Sequence, residues 1–104
     1  YNRGERMKLD IGGHKYQIKT MKNQKNEENG NMLLGRHDVK ECEIWLDEEM
    51  NHTRTVETFM HEVLHVILTN TGNGHDEKLI DGISNGLLQL GAADFLWKKA
   101  KSVK

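Results

Sequence analysis

Apolar and polar residues alternate from Met7 onward. Leu9 and Ile11 share one face, and Lys8 and Asp10 the other. After Gly12-Gly13, Tyr16 and Ile18 alternate with Gln17 and Lys19. Two period-two runs around a glycine pair predict a β-hairpin, with His14 at its turn. Residues 22–31 predict a polar loop, and 31–38 a short strand or turn. Between 41 and 49 the alternation returns, with Cys42, Ile44 and Leu46 opposite Glu43, Trp45 and Asp47. That is the pattern of a half-buried strand, with the Cys42 thiol facing the core.

Then the period changes. Val56, Phe59, Met60, Val63, Leu64, Ile67 and Leu68 recur at steps of three and four. They predict a helix over about 55–71, capped by Asn51 or Thr53 and stopped at Gly72. Polar residues 70–76 make a turn. A second helix is expected over about 76–90, with Leu79, Ile80, Ile83, Leu87 and Leu90 on its apolar face and Gly91 interrupting it. Residues 92–104 suggest a short last helix with a basic end. Strands first and helices afterwards predict an α+β fold: a small antiparallel sheet with helices packed on one face.

The chain has 104 residues, the size of one domain, expected over 7–104 with residues 1–6 as a disordered lead-in. Fifteen basic against sixteen acidic residues leave a net charge of -1, which gives no sign of a nucleic-acid partner. No apolar run approaches the ~20 residues that cross a bilayer, and the first eleven residues lack a signal-peptide pattern. One cysteine excludes an internal disulfide and suits a reducing, cytoplasmic setting.

The first helix carries the chemistry. "HEVLH", residues 61–65, has the spacing H-E-x-x-H. With Val56 at zero on a helical wheel, His61 and His65 fall at roughly 140° and 180°, on one edge of the apolar arc. They are ~40° apart in direction and ~6 Å apart along the axis, so two imidazoles on adjacent turns can meet one ion. Neutral imidazoles bind zinc without cancelling its charge. Zinc lowers the pKa of a bound water to about 7 and polarises a scissile carbonyl. Glu62 points in a neighbouring direction, close to such a water yet poorly placed to bind the ion with the pair, as a general base must be. The bland alternative is two surface histidines at an ordinary helical spacing.

A catalytic zinc site needs a third protein ligand. The next segment offers His75, Glu77 and Asp81. Glu77 also suits the first turn of a helix for electrostatic reasons, and His75 suits a turn. Asp81 is one turn deeper, more nearly opposite the histidine pair. Gly82 and Gly86, four apart, suggest a close approach of the two helices. Tyr16, His37 and His52 are each able to donate a hydrogen bond to an oxyanion, and the sequence places none of them.

"TFMHEVLHVIL" followed by "EKLIDGISNGLLQL" resembles the small, often phage-borne zinc metallopeptidases of the ImmA/IrrE type, within the gluzincin-like peptidases. The resemblance implies a minimal zincin-like fold, His61 and His65 as zinc ligands, Glu62 as catalytic acid/base and Asp81 as third ligand. Asp81, Ser84 and Asn85 stand where that family has E-x-x-A-N. The aspartate is one methylene shorter than the usual glutamate. The likeness further implies a protein or peptide substrate, with transcriptional repressors as the family's known targets, and the cytoplasm of a bacterial host. It also implies a peptide added as an extra strand beside an edge strand, for which 43–47 is the candidate. Trp45 then either lines a subsite or, as its apolar surface favours, lies under the segment holding Phe95 and Trp97.

Three functions are therefore in play. The first is an active zinc endopeptidase. The second is a zinc-binding domain without turnover that serves protein–protein interaction or assembly. The third is a metal-free interaction module, which the motif disfavours.

Overall fold

Strands come first and helices last in the computed structural model, which describes residues 7–22, 24–25, 32–72 and 76–102. The expected lead-in at 1–6, His75 and much of the 22–31 loop lie outside these residues. The strands are β1 (Met7–Ile11), β2 (His14–Met21), β3 (Gln24–Lys25), β4 (Met32–Leu33), β5 (Gly35–Asp38) and β6 (Glu43–Asp47). The helices are α1 (His52–Asn70), α2 (Glu77–Gln89) and α3 (Ala92–Lys101).

β1 and β2 pair antiparallel across Gly12-Gly13, whose φ angles of 60° and 85° supply the left-handed turn a two-residue hairpin needs. β3 and β4 form a separate two-stranded ribbon. The main sheet has the order β1-β2-β6-β5. It is mixed rather than purely antiparallel, because β2 and β6 run parallel. A parallel pair needs a connection of at least about a dozen residues, and the segment 22–42 is long enough.

This order corrects one expectation. β6 lies between β2 and β5, so both its edges are occupied and 43–47 is no edge strand. The strand at that side of the sheet is β5. Its register on β6 pairs Gly35 with Leu46 and His37 with Ile44. Leu46 and Ile44 are fully buried, so Gly35 and His37 share the inward face, under α1.

Tyr16, Ile18, Ile44 and Leu46 supply the sheet side of the core. α1 lays Val56, Phe59, Met60, Val63 and Val66 across them, as its three-four spacing requires. Asn51 caps α1, its side chain accepting from the Arg54 N–H at 2.9 Å, and Gly72 ends it at φ 77°. From α3, Trp97 meets the Phe59 ring edge-on with centroids 5.1 Å apart. Phe59 is wholly buried. Phe59→Ala is expected to cost about 3–5 kcal/mol, a large share of a total of about 5–15 kcal/mol, measurable by urea unfolding.

α2 is more peripheral than its pattern suggests. Ile80 is fully buried, whereas Leu79, Ile83 and Leu90 are 50%, 40% and 82% exposed. Gly82 and Gly86 face open space, since a Cβ at either would meet nothing within 4 Å. They do not mediate a close helix approach. Trp45 is not under the C-terminal segment either. Phe95 is exposed, Trp97 is in the core, and Trp45 lies on the outer sheet face between its cross-strand neighbours Lys19 and Arg36. Each cation stands 5.1 Å from the ring centroid, and the indole N–H donates to Glu43 at 3.2 Å. The alternation fixed which face Trp45 occupies, but its contacts depend on strand neighbours.

Candidate metal centre

Because α1 turns its apolar arc to the sheet, His61 and His65 emerge on the flank that faces α2. Their Nε2 atoms are 3.1 Å apart. Glu77, in the first turn of α2, reaches over both: one carboxylate oxygen lies 2.9 Å from His65 Nε2 and the other 3.3 Å from His61 Nε2. Two ligands about 2.0–2.1 Å from a tetrahedral zinc stand roughly 3.3 Å apart. Pair by pair the neighbouring atoms stand near that spacing, with a different Glu77 oxygen facing each histidine, and two imidazole nitrogens with one carboxylate are a donor set zinc accepts. Among the described residues this is the group whose ligand atoms converge, all within 4.8 Å of one another.

Asp81, the ligand expected at the third position, is not part of that group. Its Oδ1 lies 3.1 Å from His61 Nδ1, the nitrogen on the far side of the ring. The physical reason is the placement of α2. The cap at Asp76 starts the helix so that its first turn overhangs the Nε2 pair, while one turn later the chain has passed to the outer edge of His61. An acceptor at Nδ1 fixes the imidazole tautomer with its proton there and frees Nε2 as a ligand.

His65 is 6% exposed. Burial holds its imidazole below the ordinary pKa, against the raising influence of the Glu77 and Glu62 carboxylates. A depressed pKa keeps the ring neutral at pH 7, as a metal ligand must be.

Glu62 is buried and turned the other way, toward β5. Its Oε1 lies 2.7 Å from His37 Nδ1. The His37 ring is stacked on that of His65, with centroids 5.2 Å apart and planes 13° from parallel. Of the three hydrogen-bond donors left unplaced by sequence, His37 alone belongs to this cluster. Tyr16 is buried in the core, where burial pushes its phenol pKa up. His52 opens α1 at its far end, 3.4 Å from Asp94. The signal for His37 was its two-residue step from Gly35 on an inward face, which becomes readable only once β5 is known to lie beside α1.

A cleft of about 430 Å³ opens beside the cluster, lined by Leu34 and Gly35 at the sheet edge, Thr58, His61 and Glu62 on α1, and Asp81 on α2. That volume lies within the range of small-molecule and peptide-binding clefts, about 300–1,000 Å³. Glu77 is exposed, so the converging group is open on the α2 side. A buried carboxylate thus stands beside three convergent ligand atoms at the wall of an open cleft. Compared with known proteins, the chain matches no family model, no curated protein and no solved structure at a significant level.

Proposed function

We propose that the protein is a zinc-dependent endopeptidase, with His61, His65 and Glu77 as the metal ligands and Glu62 as general base. The observation that carries this reading is the convergence of the two Nε2 atoms and the Glu77 carboxylate beside a buried glutamate. A zinc ion held by these residues would supply a positive charge able to polarise a carbonyl and lower the pKa of a water. Glu62 accepts the water's proton and delivers it to the leaving amine. Asp81 holds His61 through Nδ1, which keeps Nε2 aimed at the ligand cluster.

The substrate is a peptide in extended form. The edge offered to it is that of β5, which borders the cleft at Leu34 and Gly35. Backbone groups there bind a strand with little demand on sequence, and the cleft gives the side-chain selection. The likeness of residues 58–90 to ImmA/IrrE peptidases supports the same chemistry and offers a transcriptional repressor as one substrate to try. None of the helices in the described residues is long and apolar enough to cross a membrane. The lone cysteine favours a reducing compartment such as the cytoplasm.

The test is proteolysis of an unfolded protein substrate. Zinc-loaded protein is expected to cut it, to stop when a chelator removes the ion, and to recover on adding zinc back. Cleavage indifferent to chelation, or none by the zinc-loaded protein, counts against the proposal.

A further inference from the structure

We infer that His37 is a positioning residue for Glu62, and that β5 therefore both borders the substrate and sets the orientation of the general base. The inference rests on the peptidase reading above and adds a residue that the H-E-x-x-H motif does not contain.

Two side-chain positions on the inward face of β5 meet Glu62. At 35 the strand leaves no room for a side chain beside the Glu62 stem. A Cβ built on Gly35 would stand 3.3 Å from Glu62 Cγ and 2.6 Å from the Thr58 methyl. The second distance is shorter than real contacts allow, so only glycine lets α1 lie this close to the strand. At 37 the contact is with the carboxylate itself, 2.7 Å from His37 Nδ1. In the base form that the proposal assigns to it, Glu62 only accepts hydrogen bonds, and the proton of this bond then comes from His37 Nδ1. A glutamate side chain has three free torsions, and its carboxylate is otherwise loose. Close packing along the stem and a hydrogen bond at the end hold it in one orientation. Stacking on His65 fixes the His37 ring in turn, so the base, its holder and a metal ligand form one packed group.

The strand that makes these contacts also lines the cleft. A peptide paired with β5 is then in register with Glu62, because the same backbone carries both. This accounts for a histidine and a glycine at alternate positions of a four-residue strand that has little apolar surface of its own to bury.

The test uses the full chain. His37→Ala at saturating zinc is expected to keep one equivalent of metal and a nearly unchanged KM while kcat falls roughly 10–100-fold, the usual cost of losing an orienting partner. His37→Asn, whose amide nitrogen takes the place of Nδ1, is expected to recover most of the loss. Gly35→Ala is expected to lower kcat with the metal retained. A second readout needs no turnover: thermal unfolding of metal-free protein for His37→Ala, Glu62→Ala and the double variant, since alanine removes the carboxylate that His37 meets. Non-additive melting shifts support the pair. Full kcat in His37→Ala, an asparagine variant as impaired as the alanine one, or strictly additive shifts would overturn it. Should the unaltered protein bind zinc and cleave nothing, the peptidase reading fails, and the metal-free cycle alone decides whether His37 holds Glu62.

Discussion

Glu62→Gln is expected to lower kcat by about 10²–10⁴-fold, the range for removing a general acid or base, while zinc stays bound at one equivalent. Glutamine keeps the shape of the side chain and its place beside Gly35. Its amide oxygen still accepts from His37 Nδ1, so the packing around this buried position is retained. What it loses is the ability to take a proton from water. Parallel measurements of zinc content and of steady-state kinetics separate the two effects. Metal retained with kcat collapsed fits a proton-transfer role. Unchanged kcat removes Glu62 from the chemistry, and loss of metal together with activity makes it a ligand or a structural group instead. The same variant separates a working peptidase from a domain that binds zinc without turnover.

His65→Ala is expected to abolish zinc binding at concentrations that saturate the unaltered protein. The ring is nearly inaccessible, stacked on His37, and its Nε2 stands 3.1 Å from His61 Nε2 and 2.9 Å from a Glu77 carboxylate oxygen. Loss of a direct ligand should exceed the 10–100-fold cost typical of outer-shell partners. The effect is visible in melting. Zinc at 100 times its Kd stabilises a folded protein by about 2.7 kcal/mol, which in a domain of this size raises Tm by roughly 10–20 °C. His65→Ala should show no such zinc-dependent rise, and Asp81→Ala should keep a reduced one. If His65→Ala gains as much from zinc as the unaltered protein, the ion is held elsewhere.

Much of the fold was legible because period reports directly on which face a residue occupies. The hairpin at Gly12-Gly13, the strand around Ile44 and the long helix with its Asn51 cap and Gly72 stop all follow from alternation and capping. Neighbours are a different matter. Alternation in 43–47 says that Ile44 and Leu46 point inward, but nothing in it says that β2 lies parallel on one side and β5 on the other. That missing fact misplaced the edge strand, left His37 a candidate without a place and left Trp45 without its cations. The second helix misled for a related reason. Its apolar face is real, yet the groove it meets covers Ile80 and leaves Leu79 and Ile83 exposed.

The geometry of the candidate site was legible in the same measure. His61, Glu62 and His65 share a helix, so their mutual geometry is set by spacing alone. The third member depends on how α2 crosses α1, which spacing does not encode. Asp81 and Glu77 both reach His61, on opposite nitrogens, and only coordinates distinguish an orienting carboxylate from one that faces the ligand cluster.

X-ray diffraction from crystals grown with zinc, collected on both sides of the zinc absorption edge, is the most direct measurement. The expected result is one anomalous peak within bonding distance of His61 Nε2, His65 Nε2 and the Glu77 carboxylate, with Asp81 on Nδ1 of His61. No peak there, or a peak that leaves out either histidine, would contradict the metal centre and the peptidase built on it.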